Sequence, residues 1–441
     1  MSSASEKQTS IVTLVVVVTV LTAVLWYVLS PSLISSSASS QVTRVYFADR
    51  ISDAHRLVID RFNQLHRGSI EVVPVDLPFD KFSTNERKEL LARSLRSGSD
   101  KLDVFAVDLI WVQRFARWCE PLDAYFNSRD REKIIPVALQ SCFFDSSLVS
   151  MPLYIDIGLM YYRRDILDRL PDASKIAEDL ERSVSWPELV QLQKRLGYSG
   201  RPYYLFQAND YEGLVCNYLE LVMAKDPTSL SSNRIDLQSP ASRSALELLV
   251  DLVHKYRMSP IEVSEFDETR SYKYMLDYDA VFVRGWPNFV ETFRRSYQDT
   301  AKLANIRKAA LPHFPGQQPT SVFGGWNLML SKYSTQKAAA LEFIRFAETK
   351  EAQQLLYKTD GLLPITIDIY QDTAYMNGHP DLAYYYTLLQ RGFHRPAMID
   401  YTRISDIISY YVRQAIRKEL TVQEALQRAS EMINSNKVLI K

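Results

Sequence analysis

The pattern of apolar and polar positions changes sharply near the start of the chain. Residues 11–29 (IVTLVVVVTVLTAVLWYVL) contain no charged side chain and offer no polar helix face. At about 1.5 Å per residue, a helix of this length spans roughly 28 Å, close to the hydrocarbon thickness of a bilayer. Residues 30–41 (SPSLISSSASSQ) are rich in serine, which is typical of a flexible tether. Residues 42–441 show the mixed pattern of a folded region.

The apolar segment has two interpretations. It is longer than the hydrophobic region of an ordinary signal peptide, and Trp26 and Tyr27 lie at one end, where such rings favour the headgroup zone. These features favour an uncleaved single-pass anchor that follows a short cytoplasmic tail at residues 1–10. A signal peptide cleaved near Ala38 is the alternative. Both interpretations place the folded region outside the cytoplasm, in a periplasmic or extracellular location.

Predicted strands and helices alternate in the first part of the folded region. Short apolar runs predict strands at residues 43–48, 70–75 and 103–108. An amphipathic helix lies between the first two strands, and a polar helix at about residues 85–96 lies between the second and third. On the amphipathic helix, one apolar face is predicted to contain Ala54, Leu57, Val58, Phe62 and Leu65. This order predicts an α/β fold with a mostly parallel sheet, in which ligands bind at the carboxyl ends of the strands.

Composition narrows the possible functions. Lys plus Arg and Asp plus Glu both number 52, so the formal net charge is zero, and the basic stripe typical of nucleic-acid binders is missing from the sequence. The histidines are scattered and no two cysteines have metal-ligand spacing, so neither a metal nor a cofactor is expected. A disulfide between Cys119 and Cys142 stays open, but three buried thiols, Cys216 included, are the favoured interpretation.

Six separated motifs point to a known family. They are residues 103–126 (DVFAVDLIWVQRFARWCEPLDAYF), 151–167 (MPLYIDIGLMYYRRDIL), 209–222 (NDYEGLVCNYLELV), 281–289 (VFVRGWPNF), 323–334 (FGGWNLMLSKYS) and 394–405 (HRPAMIDYTRIS). With these motifs, the chain resembles the family 1 extracellular solute-binding proteins, and most of all their trehalose- and maltose-binding branch. Each motif alone is weak evidence, whereas the whole set in the family's order is specific.

The resemblance implies a two-lobed periplasmic-binding-protein fold of type II, like that of maltose-binding protein, with a hinge between the lobes. Lobe one is expected at residues 42–152 plus 312–348, and lobe two at residues 153–311 plus 349–441. The implied function is to bind an oligosaccharide, such as the α-linked disaccharides trehalose or maltose, and to deliver it to the permease subunits of an ABC importer. Such a protein is expected to be a monomer that needs no cofactor and binds no nucleic acid.

The motifs also supply side chains suited to a neutral sugar, which offers hydroxyl groups and apolar CH faces. Carboxylates and an arginine can bond to hydroxyl or ring oxygens, tryptophans can stack on sugar rings, and paired glycines let backbone amides come close. By their places in the motifs, the resemblance implies ligand contacts for Asp108, Trp111, Tyr154, Asp156, Glu212, Trp286, Gly324, Gly325, Trp326 and Arg395.

Several of these residues have an ordinary structural alternative. Asp108 can cap the helical segment that begins at Leu109, and Trp111 can be a core residue. Glu212 can simply start a helix, and Arg395 can bridge the lobes without touching a ligand.

The loop after the first strand departs from the family. Residues 48–53 (ADRISD) form a shorter loop than the family usually has at this point, where it carries a ligand residue. Asp49, Arg50 and Asp53 are the candidates to replace it. The departure leaves the identity of the sugar open.

Rival functions also stay open at this point. A glycosidase needs two carboxylates about 5 to 9.5 Å apart, and Asp108 with Asp156 would be the pair. No hydrolase motif accompanies them, so we expect a protein that is not an enzyme. A membrane-anchored sugar sensor fits the anchor, but residues 1–10 are too short for a cytoplasmic output domain. A solute other than a sugar is a further alternative.

Overall fold

The computed structural model describes residues 18–20, 22, 42–77, 84–98, 101–231, 234–294 and 296–435. The predicted anchor at residues 11–29 therefore lies outside the described residues except at 18–20 and 22, which are helical, and the tether at residues 30–41 lies outside them entirely. Within the described parts of the chain, no helix combines the length and apolar character needed to span a bilayer.

Strands and helices alternate along most of the described chain. In chain order the strands are β1 (Thr43–Asp49), β2 (Ile70–Asp76), β3 (Val104–Asp108), β4 (Phe143–Phe144), β5 (Ser147–Leu148), β6 (Met151–Ile157), β7 (Leu159–Arg163), β8 (Tyr204–Leu205), β9 (Leu230–Ser231), β10 (Arg234–Ile235), β11 (Phe282–Gly285), β12 (Ile306–Ala309), β13 (Ser321–Leu330) and β14 (Gly392–Phe393). The first helices are α1 (Asp53–Leu65), α2 (Thr84–Arg96), α3 (Val112–Phe115), α4 (Ser128–Arg131), α5 (Pro136–Leu139), α6 (Arg164–Leu167), α7 (Ala173–Arg182), α8 (Trp186–Arg195), α9 (Glu212–Lys225) and α10 (Pro240–His254).

The remaining helices all lie in the second half of the chain. They are α11 (Glu268–Asp277), α12 (Phe289–Phe293), α13 (Thr300–Ala304), α14 (Lys337–Ala347), α15 (Lys350–Asp360), α16 (Ile367–Gln371), α17 (Thr373–Gly378), α18 (Pro380–Leu389), α19 (Tyr401–Ile416) and α20 (Val422–Asn434). Helix α19 packs against α9 and α10. The carboxyl-terminal part of the chain therefore contacts helices from the middle of the sequence.

The first lobe is built on a six-stranded mixed sheet in the order β14–β13–β3–β1–β2, with β6 also paired to β13. Strand β1 runs parallel to both β2 and β3, which confirms the parallel sheet predicted from the first three apolar runs. Strand β13 runs antiparallel to β3 and β6. The parallel strands end at the cleft side of the lobe, where Asp49 and Asp108 lie.

The apolar face predicted for helix α1 was too wide. Ala54, Val58 and Phe62 are buried, as are neighbouring His55 and Ile59. The prediction that Leu57 and Leu65 share this face was wrong, because they are 44% and 53% exposed. Leu57 lies off the stripe that residues 54, 58 and 62 form, whereas Leu65 falls in line with the stripe but is the last residue of the helix.

The second lobe is built on a four-stranded sheet in the order β12–β7–β11–β8. The chain passes from the first sheet to the second at Gly158, between β6 and β7, and returns between β12 and β13. A Cβ atom at Gly158 would lie 2.1 Å from a carboxylate oxygen of Glu220 and 2.8 Å from a guanidinium nitrogen of Arg284. The crossing therefore needs glycine, because a buried ion pair occupies the space that any side chain would need.

The three cysteines are free and buried. Burial raises the pKa of the Cys142 thiol to about 12. The interpretation of Cys119, Cys142 and Cys216 as buried thiols is confirmed, and the alternative of a disulfide between Cys119 and Cys142 is wrong.

Candidate functional site

Three predicted site residues lie side by side at the cleft end of the first sheet. Trp326 on β13 pairs with Asp108 on β3 and with Tyr154 on β6. Gly324 pairs with Asp156 in the same way, two residues farther along both strands. Since directly paired residues share a face of a sheet and alternate residues do too, the five positions present one common surface. Strand register thus joins motifs that are far apart in sequence.

The glycine pair on β13 allows two close approaches. A Cβ atom at Gly324 would lie 2.9 Å from the Trp286 ring, which comes from the second lobe. Gly325 has a φ of +129°, and a Cβ atom there would lie 2.5 Å from the carbonyl oxygen of Tyr154. Both positions therefore exclude side chains, one so that an indole ring can cross between the lobes and one because of its backbone conformation.

A buried ionic chain links the lobes beside this surface. Arg395 donates to Asp108 at 3.2 Å and to Glu212 at 2.7 Å, and its side chain is only 2% exposed. Tyr401 also donates to Glu212, at 2.8 Å. Asp108 ends strand β3 of the first lobe, whereas Glu212 begins helix α9 of the second. We call Asp108, Glu212, Arg395 and Tyr401 the buried network.

The two acids of the first lobe differ in how they are neutralised. Asp108 accepts hydrogen bonds from Arg395 and from the backbone amide of Ile110, so it also caps the short helical turn that follows it. Burial raises the pKa of Asp108, and Arg395 opposes that shift. Asp156 is 8% exposed, and its Oδ1 finds no hydrogen-bond partner among the described residues. Burial, followed by the nearby Asp108, raises the pKa of Asp156 well above its usual range.

Each half-buried tryptophan of the cleft has an arginine on one face. The Arg87 guanidinium lies 4.4 Å from the centre of the Trp326 ring, and that of Arg284 lies 3.9 Å from the Trp286 ring. Trp111 meets the edge of Trp326 at 5.6 Å between ring centres but is only 2% exposed. Trp111 therefore supports Trp326 from below, and the core position considered for it agrees with its burial.

A cavity of about 480 Å³ opens between the lobes next to Trp326. Two of the predicted site residues, Tyr154 and Trp326, line it, while the buried network lies outside its lining. Asn288, Glu291 and Thr292 contribute the wall from the second lobe. We call this space the open cavity. Asp49, Arg50 and Asp53, the candidates from the short loop, all line it, together with Ile51, Ser52, His55, Arg56, Asp76, Arg87, Thr359, Asp360 and Leu362.

The sequence interpretation missed the charged cluster at the floor of this cavity. Arg87 is almost fully buried and donates to Asp49 at 2.9 Å. His55 approaches the other carboxylate oxygen of Asp49 at 3.2 Å, and its second ring nitrogen lies 2.6 Å from the Ser52 hydroxyl. Arg87 lies in a run of charged residues at the start of its helix, residues 86–89 (ERKE), so nothing in the pattern separates it from its solvent-exposed neighbours Glu86 and Glu89. Among the described residues, no cluster suited to a metal ion is present.

Comparison with known proteins identifies the class. The family model of the bacterial extracellular solute-binding proteins matches residues 47–354, so the chain belongs to that family. This confirms the resemblance seen in the motifs, and the family is extracytoplasmic. The curated relatives include a probable ABC transporter-binding protein of Deinococcus radiodurans, 23% identical over 356 residues that cover 78% of this chain and 82% of the relative.

Other relatives carry names that mention sugars. An arabinooligosaccharide-binding protein of Halalkalibacterium halodurans is 20% identical and covers 83% of this chain and 82% of its own. Among solved structures, maltose-bound MalE3 of T. maritima superposes with a TM-score of 0.80 at 25% identity, over 89% of this chain and all of the other. The GacH receptor of Streptomyces glaucescens superposes with a TM-score of 0.75 at 17% identity, over 89% and 98%. The two-lobed α/β fold expected from the motifs is thereby confirmed.

Proposed function

We propose that this protein binds an oligosaccharide between its lobes, an α-linked disaccharide such as trehalose or maltose, and delivers it to the permease subunits of an ABC importer. The observation that carries the proposal is the single surface shared by Asp108, Tyr154, Asp156 and Trp326, which combines oxygen acceptors with an aromatic platform. Family membership and the likeness to a maltose-bound protein support it.

The proposed contacts follow from the chemistry of a sugar. The free face of Trp326 stacks on the apolar side of one ring, with Trp111 behind it and Trp286 closing over a second ring. Asp108 accepts from neighbouring hydroxyls, and Arg395 donates to ring or glycosidic oxygens.

The remaining predicted residues shape the site. Tyr154 contributes the wall beside Trp326, since it lines the open cavity. Gly324 and Gly325 keep that wall thin enough for the sugar to approach the backbone. Glu212 fixes the direction of Arg395 through their 2.7 Å bond and does so without needing a ligand contact of its own.

The proposed cycle is closure of the lobes around the sugar. A ligand that contacts both lobes favours the closed form, and changing the ratio of closed to open molecules from 1:99 to 99:1 needs roughly 5.5 kcal/mol of preferential binding. A micromolar affinity corresponds to about 8 kcal/mol, which is enough. The closed form then docks on the permease as a monomer, and no step in the cycle breaks a covalent bond, so the protein acts without being an enzyme.

The proposal includes a membrane anchor at residues 11–29 and a tether at 30–41. The anchor is supported by the uncharged apolar run, and it would raise the local concentration of the binding protein beside its permease. The resemblance implies lobes that divide near residues 152 and 312. Because β6 (Met151–Ile157) pairs with β13 in the first sheet, we place the first division at Gly158 and the residues from 159 to 311 in lobe two.

The experiment is isothermal titration calorimetry of the full chain, purified in mild detergent, with trehalose, maltose, sucrose and longer α-glucans. We expect saturable binding of at least one sugar. The Trp326→Ala variant should bind about tenfold more weakly or worse, because it loses the stacking surface. Trp118→Ala is the matched control, since Trp118 does not line the open cavity and packs beside Arg117. A folded protein that binds none of these sugars would contradict the proposal.

A further inference from the structure

Asp156 has no cation to neutralise it in the described structure. Asp156 is only 8% exposed, yet no arginine or lysine among the described residues forms an ion pair with it, and the arginines of the cleft pair with other acids. Its Oδ1 also lacks a hydrogen-bond partner there. It lies beside the close approach of Gly324 and Trp286, since a Cβ atom at Gly324 would be 2.9 Å from the Trp286 ring and 3.2 Å from the Asp156 Cβ atom. An ionised carboxylate in such a place is strongly disfavoured.

The charged groups around Asp156 do not change this conclusion. Arg284 on β11 already pairs with Glu220 at 2.7 Å, and Arg395 already bonds to Asp108 and Glu212. The groups that act electrostatically on Asp156, or on which it acts, are Asp108 on β3, Arg284 on β11, Tyr154 on its own strand and Tyr272 on α11. Burial and, after it, the charge of Asp108 raise the pKa of Asp156 well above its usual range, and Arg284 opposes them only partly.

We infer that Asp156 is an uncharged carboxylic acid in the folded protein and that its hydroxyl donates a hydrogen bond to an oxygen of the bound ligand. The ligand part of this inference rests on the proposed function, whereas the charge state does not. It gives the two acids of the cleft opposite roles. Asp108, held by Arg395, accepts from ligand hydroxyls, while Asp156 selects a ligand oxygen that can accept. A ligand whose only group at this point is a cationic amine would instead require Asp156 as a carboxylate.

The binding test is the pH dependence of the dissociation constant, measured for the sugar that binds the full chain best. Wild-type affinity should fall about tenfold per pH unit once Asp156 ionises, because the donated hydrogen bond is lost with the proton. Asp156→Asn should keep affinity within about threefold at pH 6 and show no such fall, since its amide is also a neutral donor. Asp108→Asn should weaken binding about tenfold or more at every pH, because an ion-paired acceptor is lost.

The stability test needs no ligand. An acid whose pKa is raised in the folded state keeps its proton there while the unfolded chain releases its own above about pH 4, so stability falls as pH rises through that window. Asp156→Asn lacks this loss, and its melting temperature relative to wild type should rise by several degrees between pH 4 and pH 8. Glu348→Gln is the control, because burial also raises the pKa of Glu348 well above its usual range, but outside the cleft. It should reproduce the stability trend and leave sugar binding unchanged.

The two measurements separate the inference from the proposed function. If no sugar binds but Asp156→Asn gains stability with rising pH, the proposed function fails and the charge state of Asp156 stands. If sugar binds and Asp156→Asn loses that binding at every pH, Asp156 acts as a charged acceptor and the inference is overturned. A relative melting temperature of Asp156→Asn that does not change with pH would overturn it as well.

Discussion

The buried network and the open cavity lie next to each other between the lobes, but their charges are arranged in opposite ways. In the buried network the ion pairs cross from lobe to lobe, since Arg395 joins Asp108 to Glu212. In the open cavity the main pair stays inside the first lobe, where Arg87 holds Asp49. One region therefore ties the lobes together, and the other leaves a preformed polar space between them.

This difference suggests that the open cavity and the buried network have different roles in binding. The cavity presents its polar groups to a ligand without moving the lobes, because its buried ion pair, Arg87 with Asp49, lies within the first lobe. The buried network can exchange a lobe-to-lobe bond for a bond to a ligand, so it is the region where binding and closure become coupled. Changes in the network should therefore affect stability and closure together.

The largest effect is expected for Arg395→Met. The variant leaves the buried carboxylates of Asp108 and Glu212 without their cation, and breaking a buried pair in this way costs about 3–5 kcal/mol of unfolding free energy. Arg163→Met is the matched control, because Arg163 is also buried but its partners Asp165 and Asp279 are 34% and 54% exposed. Chemical denaturation should show a clearly smaller loss for the control. Equal losses would mean that the burial of the Asp108 and Glu212 carboxylates does not determine the cost of removing their cation.

Gly325→Ala should have the next largest effect. Its φ of +129° is unfavourable for a side chain, and the added Cβ atom would meet the Tyr154 carbonyl oxygen at 2.5 Å. We expect a loss of about 3 kcal/mol in unfolding free energy. Gly197→Ala, at a φ of +68° with no atom within 4 Å, is the control and should cost about 1 kcal/mol. Thermal unfolding of both variants measures the comparison, and similar losses would show that the close approach is not the cause.

A smaller effect, on the pH dependence of stability, is expected for His394, which precedes Arg395 in the sequence. Burial lowers the pKa of His394 from 6.5 to about 4. The unfolded chain then binds the proton first as pH falls below 6.5, so stability decreases toward acid. Over the 1.5 units between pH 6.5 and pH 5 the loss is about 2 kcal/mol. In His394→Gln this slope should disappear. A variant that keeps the wild-type slope in urea unfolding at pH 5 to 7 would place the effect elsewhere.

The fold could be predicted from the sequence patterns, but only part of the candidate site could. The strand runs and the family motifs predicted the parallel sheet, the two lobes and residues such as Asp108 and Trp326. Their meeting on one face depends on the pairing of β13 with β3 and β6, which joins segments more than a hundred residues apart and leaves no local pattern. Arg87 could not be predicted, because its burial depends on Asp49 and Trp326 rather than on its own helix.

For the short loop after β1, the sequence predicted the region but not the individual residue. Residues 48–53 were singled out because this loop is shorter than the family usually has, but the sequence does not indicate which of its side chains would contact a ligand. Asp49, Arg50 and Asp53 all line the open cavity, so lining the cavity does not distinguish one candidate from another. Choosing among them requires the positions of Arg87 and His55, which bind Asp49 and come from two different helices.

A crystal structure of the protein with its best-binding sugar would show whether the sugar binds between the lobes against the surface of Asp108, Tyr154, Asp156 and Trp326. We expect a ring stacked on the free face of Trp326, with sugar oxygens within hydrogen-bond distance of Asp108 and Asp156 and contacts to both lobes. A sugar bound elsewhere on the surface, with the cleft between the lobes empty, would contradict this expectation.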